Sequence, residues 1–177
     1  MSKDINLKQK VVVLTTGGTI EKTYDENEGT LENRGSSIRE RVFSKFRLPY
    51  TDVEFFSIMS KDSDHMTDAD RDYILTTIKH HLHKNCPIVV LHGTDTMEFT
   101  ARHCFENLLD VTHPIVFTGA MRPFGLENSD AIQNILEALL ASKIISPGIY
   151  VSFHNRIFDV PNVRKNREKR TFEAIKA

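Results

Sequence analysis

Cysteine is nearly absent from this sequence: Cys86 and Cys104 are the only two in 177 residues. Two thiols cannot build a disulfide framework, and their spacing fits no metal-binding pattern, so both are expected as buried or neutral thiols. Long apolar runs are missing as well, with none near the roughly 20 residues that span a bilayer. The stretch MSKDINLKQK mixes both charge signs and has no apolar centre of the signal-peptide kind, which makes the cytoplasm the expected location. An excess of either charge is lacking too. With 23 basic residues against 24 acidic ones the formal net charge is -1, so no global field recruits nucleic acid or anionic lipid, and neither is expected as a partner. Internal repeats, low-complexity segments, Walker-type phosphate loops and the third glycine of a dinucleotide fingerprint are all missing, so no cofactor is expected. A soluble enzyme or small-ligand binder remains.

What is present suits a single domain: 40% hydrophobic and 27% charged side chains, enough to bury a core. Short apolar runs rich in β-branched residues recur at Val11–Leu14, Val53–Ile58, Ile88–Leu91, Ile115–Phe117 and Ile149–Phe153, as fully buried strands require. Segments of helical period alternate with them. In 67–84, Ile74, Leu75, Ile78 and Leu82 share a face behind Thr67 and Asp70, which resemble a capping pair. Ile132, Ile135, Leu136, Leu139 and Leu140 repeat the pattern in 129–142 with Ser129 as cap, and 97–109 reads as another helix. Ser36 and Ser37 followed by Ile38, Val42, Phe43 and Phe46 suggest an earlier one. Strands alternating with helices imply right-handed crossovers, so the expected class is α/β: an open, mostly parallel sheet with helices on both faces. The segment KTYDENEGTLENRG at 22–35 departs from this regularity and reads as a surface loop or a functional lid.

The run VVVLTTGGTI at 11–20 raises the question of why a buried strand should end in threonines and glycines. Glycine pairs make turns, and a turn at that place can present a hydroxyl or backbone N–H groups to a ligand. Hydroxyls also follow the other strands: Ser60 and Ser63, then Thr94 and Thr96, then Thr118. In a parallel sheet these turns lie at one edge, so residues distant in sequence converge. Gly93-Thr94-Asp95-Thr96 places a carboxylate beside two hydroxyls where a helix should begin, and Thr94 or Asp95 could serve there as its N-cap.

Here the sequence resembles a known family. TGGTI at Thr16–Ile20, DSDHM at Asp62–Met66, LHGTDTM at Leu91–Met97 and FTGAMRP at Phe117–Pro123 stand in the order and approximate spacing of the bacterial-type L-asparaginases. The resemblance runs from about Val11 to Lys165 and covers the family's larger N-terminal domain. It implies one such domain over 1–177, a mobile lid at 22–35 and no counterpart of the usual smaller C-terminal domain. It also implies a homo-oligomer, dimer or tetramer, because family members form dimers in which the partner's C-terminal domain contacts the substrate. A chain lacking those contacts would bind more weakly or with altered specificity.

The resemblance further implies hydrolysis of a side-chain amide through a threonine ester, with ammonia leaving before water releases aspartate. Thr19 then corresponds to the nucleophile, which needs a positioned base. Thr94 and Asp95 correspond to the family's activating pair, completed by the lysine of a D-V-x-K pattern that matches Lys165 in Asn162-Val163-Arg164-Lys165. Lys169 competes for that role, and the surrounding RKNREKR run reads on its own as a solvated charged tail or a patch for an acidic partner. A lid tyrosine maps to Tyr24, although the family's tyrosine often lies further along, where this chain has Thr30. Ser63 corresponds to the residue that holds the substrate α-carboxylate, Asp64 to the next contact, and Asp95 to the α-ammonium acceptor. Gly18 and Gly93 join the binding set, backbone N–H groups near Thr19 and Thr94 could form an oxyanion hole, and the Ala120 carbonyl meets the amide.

Two other readings stay open: a catalytically inactive module that binds aspartate or asparagine through Ser63 and Asp95, and a hydrolase or amidotransferase partner acting on another amide. The cluster His80-His81-Leu82-His83 invites a metal, but no partner ligand is identifiable, and a polar helix face is the expected role.

Overall fold

The structure, a computed structural model, describes residues 8–25, 30–33 and 38–175, with backbone alone for 23–25, 30–33, 39 and 41. Strand β1 (Gln9–Thr15) runs into a 3-10 turn at Thr19–Glu21 and then into an antiparallel hairpin of β2 (Lys22–Asp25) and β3 (Thr30–Asn33). A short helix α1 (Ile38–Arg41) and a 3-10 turn at Phe43–Lys45 precede β4 (Thr51–Ser57). The 3-10 turn Ser63–His65 leads to α2 (Asp68–Leu82), followed by β5 (Ile88–Leu91), α3 (Met97–Asn107), β6 (Ile115–Thr118), α4 (Ala131–Ile144) and β7 (Ile149–Phe153). Then come β8 (Arg156–Asp159), β9 (Val163–Asn166) and β10 (Thr171–Ala174).

The main sheet has the order β4-β1-β5-β6-β7-β8, parallel except for β8, which pairs antiparallel with β7. Its alternate side chains build two cores, because successive residues of a strand face opposite ways. Val12, Leu14, Ile88, Val90, Ile115 and Phe117 meet α2 and α3 on one face. On the other, Val11, Val13, Val89, Leu91 and Val116 meet α1 and α4. The expected α/β sandwich with helices on both faces is therefore the fold. Cys86 and Cys104 are free and buried in the first core, where burial pushes the Cys104 thiol up to about 12. No described helix is long and apolar enough to cross a membrane.

Helix α2 starts as its sequence demands. Thr67 Oγ1 accepts the Asp70 N–H at 3.3 Å while Asp70 Oδ2 accepts the Thr67 N–H at 2.7 Å, a reciprocal capping box. Helix α4 corrects its expected start. It begins at Ala131, after Asp130 rather than Ser129, because the Asp130 carboxylate reaches back to the Met121 and Arg122 N–H groups and fixes the turn before the helix. Its apolar face is also narrower than expected: Ile135 and Leu139 are buried, whereas Ile132, Leu136 and Leu140 are exposed. Thr94 and Asp95 are not the cap of α3; Thr96 holds that position without a side-chain capping bond, and Lys165 engages the two residues before it. The segment 22–35 is not an irregular loop throughout, for Lys22–Asp25 pairs with Thr30–Asn33. Residues 26–29 and 34–37, with Ser36 and Ser37, lie outside the described residues.

Candidate active site at the sheet switch point

From β1 the chain passes to β4 on one side and returns to β5 on the other, so its connections part at the C-terminal ends of β1 and β5. That is where open α/β sheets hold ligands. The residues that follow these strands are shaped for close approach. Gly17 and Gly18 adopt φ of 96° and 84°, a region that suits glycine, and bring the TGGTI turn against its neighbours. A Cβ on Gly18 would fall 2.5 Å from the Gly93 Cα, and one on Gly93 would fall 2.6 Å from the Ser63 Oγ. The turns after β1, β5 and β4 thus interlock. Hydrogen bonds fix them: Thr16 Oγ1 donates to the Leu91 carbonyl at 3.1 Å, and the Lys61 N–H donates to the Thr16 carbonyl at 2.9 Å. Thr19, half-buried, opens the 3-10 turn directly after Gly18.

The charged part of the site arrives from far along the chain. Val163 and Phe172 are buried, and Phe172 packs its ring 5.0 Å from that of Phe153. Lys165 lies two residues from Val163 and directly across the ladder from Phe172, so it shares their inward face. Its Nζ donates to Thr94 Oγ1 and to Asp95 Oδ1, each at 2.8 Å. Glu98, in the first turn of α3, accepts the Lys165 backbone N–H. The Asp95 N–H donates to Ser63 Oγ at 3.2 Å, and Thr96 Oγ1 donates to the Ser63 carbonyl at 2.8 Å. Burial raises the Asp95 carboxyl, but hydrogen bonding and charge from Lys165 and Arg167 outweigh it and hold the group below its ordinary value. His92 beneath the turn is fully buried; burial lowers it to about 4, so it stays neutral near pH 7 and donates from Nδ1 to the Gly93 carbonyl at 2.7 Å.

The family model described as Asparaginase, N-terminal matches residues 10–177. The chain belongs to the asparaginase family. L-asparaginase 1 of Escherichia coli (strain K12) is 32% identical over 158 residues, covering 85% of this chain and 46% of that protein. The 60 kDa lysophospholipase of Mus musculus is 36% identical over 113 residues, 63% of this chain and 20% of that protein. Among solved structures, the thermostable L-asparaginase from Thermococcus kodakarensis superposes with a TM-score of 0.86 at 28% identity, over 96% of this chain and 52% of that one. This asparaginase-family chain thus spans about half the length of these L-asparaginase relatives.

Thr94, Asp95, Lys165, Ser63, Gly18 and Gly93 meet in one place, with Thr19 beside Gly18. Lys169 does not join them; its Nζ lies 3.9 Å from Glu173 on the hairpin's outer side. Asp64 is exposed in the Ser63–His65 turn, whereas Ala120 is buried after β6 among the residues that meet α1 and α4. Tyr24 stands in β2 opposite Leu31, and Thr30 in β3 opposite Asp25; the side chains of both lie outside the described residues. Lys22, at the start of the hairpin, pairs with Asp62 at 2.9 Å and ties it to the DSDHM turn.

Two residues at the candidate site escaped the sequence reading. Arg167 Nη1 lies 3.0 Å from Asp95 Oδ1, and its signal was the two-residue period continuing from Val163 through Lys165. Glu98 carried the weaker signal of an acid in a first helical turn. A second network, also unread, braces the site from below. Asn134, fully buried, donates to the Gly119 carbonyl at 2.9 Å and accepts the His154 N–H at 3.1 Å. His154 Nε2 lies 3.0 Å from Asp130 Oδ2, and its Nδ1 lies 3.0 Å from Thr171 Oγ1 on the hairpin that carries Lys165.

Proposed function

We propose that this chain hydrolyses a side-chain amide, L-asparagine being the reference substrate, through an ester on Thr19. The observation that carries the reading is Lys165 Nζ bonded at 2.8 Å to both Thr94 Oγ1 and Asp95 Oδ1, beside a turn that presents Thr19. In this mechanism the Thr19 oxygen attacks the amide carbonyl carbon and its proton passes to a base, Tyr24 on the hairpin or the Thr94–Lys165 pair. The resulting oxyanion takes hydrogen bonds from backbone N–H groups near Thr19 and Thr94. The carbon–nitrogen bond breaks, ammonia leaves with the proton, and the ester remains. Water, deprotonated by the Thr94–Lys165 pair, attacks the ester and releases the acid and the Thr19 hydroxyl. Ser63 holds the substrate's carboxylate end, Asp95 its ammonium with Asp64 as the next contact on that side, and the Ala120 carbonyl its amide.

Membership of the asparaginase family supports a further element of the reading, a homo-oligomer, dimer or tetramer. A cytoplasmic setting is supported by the likeness to a solved structure, the probable cytoplasmic L-asparaginase from Campylobacter jejuni, 26% identical with a TM-score of 0.73.

Ammonia release from asparagine by the purified protein, beside a Lys165→Met variant with unchanged circular dichroism, tests the reading. Turnover that falls by about 10²–10⁴-fold in the variant is expected of a lost acid-base group. Equal rates in the two proteins, or no turnover by the wild type, would reject it.

A further inference from the structure

The hairpin of β9 and β10 that carries Lys165 is a two-stranded sheet of its own, and it pairs with no strand of the main sheet. Its backbone ladder therefore sets no register against β5, which Thr94 and Asp95 follow. Burial of Val163 and Phe172 holds the hairpin down, but apolar contact is non-directional and tolerates sliding. Lys165 does not tolerate it. Its Nζ lies 2.8 Å from both Thr94 Oγ1 and Asp95 Oδ1, and a shift of about 1 Å takes either contact out of hydrogen-bond range. Directional ties are needed, and the hairpin has them on both sides. Glu98 of α3 accepts the Lys165 backbone N–H. Thr171 precedes the inward-facing Phe172, so its side chain points to the opposite face of the hairpin, where its Oγ1 lies 3.0 Å from His154 Nδ1.

His154 is itself held firmly. Its N–H donates to Asn134 Oδ1 at 3.1 Å, and its Nε2 lies 3.0 Å from Asp130 Oδ2. Asp130 also accepts the Met121 and Arg122 N–H groups and, at 2.9 Å, Asn134 Nδ2, so it is fixed to both α4 and the turn after β6. A carboxylate only accepts, so Nε2 carries a proton and donates to it, and in a neutral ring the Thr171 hydroxyl donates to Nδ1. In the imidazolium Nδ1 donates to that hydroxyl instead, so both contacts persist in either state. We infer that Thr171 and His154 are positioning residues for Lys165: anchored on Asp130, they fix the outer face of the hairpin so that Nζ reaches Thr94 and Asp95 together. The inference rests on the amide-hydrolase reading for the acid-base role of Lys165 and adds what sets that group in place.

The test compares Thr171→Val, which removes the hydroxyl at nearly constant size, with Thr171→Ser, which keeps it, each in wild type and in Lys165→Met. Loss of one neutral hydrogen bond is worth about fivefold. Ammonia release from asparagine by Thr171→Val should fall about fivefold in kcat with KM little changed, and Thr171→Ser should retain the wild-type rate. Against the residual rate of Lys165→Met, Thr171→Val should cost nothing further, because the group it positions is gone. Brief labelling with acetic anhydride, read by mass spectrometry, needs no turnover. Lys165, its side chain 12% exposed, should acetylate about fivefold faster in Thr171→Val and faster in His154→Leu. Lys143, in the last turn of α4 and bonded to Thr51 Oγ1 at 3.0 Å, should label at an unchanged rate. An equal kcat loss with and without Lys165, a Thr171→Ser protein as impaired as Thr171→Val, or Lys165 labelling that rises no more than that of Lys143 would overturn the inference. If the wild type releases no ammonia, the hydrolase reading fails and the labelling ratio alone decides on Thr171, as it does if Lys165→Met is too slow to assay.

Discussion

Asp70 joins the start of α2 to the segment after β4 through one carboxylate. Its Oδ2 accepts from Lys61 Nζ at 2.6 Å and from the Thr67 N–H at 2.7 Å, so it caps α2 while fixing the segment that leads from β4 to Ser63. The Lys61 hydrogen bond first, then the backbone and side chain of Thr67, lower it from 3.8 to about 2. A carboxyl depressed in the folded state binds its proton more readily when unfolded. Its contribution to stability is therefore complete above about pH 3.8 and is lost as pH falls toward about 2. Denaturant unfolding of Asp70→Asn should show a loss of about 1 kcal/mol at neutral pH and a shallower decline on the acid side than wild type. Parallel acid limbs in the two proteins would contradict the assignment. At this scale the sequence was partly legible: the Thr67–Asp70 cap follows from residue types and spacing, whereas the Lys61 contact depends on where β4 delivers the chain.

At the level of elements, the turn after β1 makes the most exacting demand. A side chain at Gly18 would meet the Gly93 backbone while also occupying a φ of 84°. Gly18→Ala should cost more than about 1 kcal/mol in stability and abolish ammonia release, because the turns after β1 and β5 must separate to admit the methyl group. A thermal melt and an activity assay check this, and an active variant of wild-type stability would refute it. Strands with apolar runs were legible from composition, since β1, β5, β6 and β7 are buried on both faces and need no polar partner. The last strands were not. β9 reads VRKN within a highly charged run, and its burial comes from Val163 and the opposing Phe172 rather than from its own average polarity. That pairing turns Lys165 inward while Arg164 stays outside against Glu173. Helix α4 erred the other way: its leucines and isoleucines exceed what one core face can cover, so Ile132, Leu136, Leu140 and Ile144 remain exposed.

Over the whole molecule, one sheet edge gathers groups that the sequence keeps far apart. β1 delivers Thr19, β4 leads to Ser63, β5 presents Thr94 and Asp95, and the terminal hairpin returns Lys165 to them. Beneath that edge, Asp130, Asn134 and His154 link the turn after β6 to the same hairpin through Thr171. The motifs made the convergence of the first three legible, since parallel strands place their following turns together. The Asp130 network was not legible, because its members are single polar residues whose partners lie 9, 15 and 24 positions away. The proposed reaction forms an ester on Thr19 at this edge. Acid-quenched wild-type protein mixed with asparagine, digested and weighed by mass spectrometry, tests it directly. A transient gain of one aspartyl group on the peptide carrying Thr19, absent in Thr19→Val, is expected; ammonia release with the Thr19 peptide unmodified at every time, or full activity in Thr19→Val, would contradict the ester.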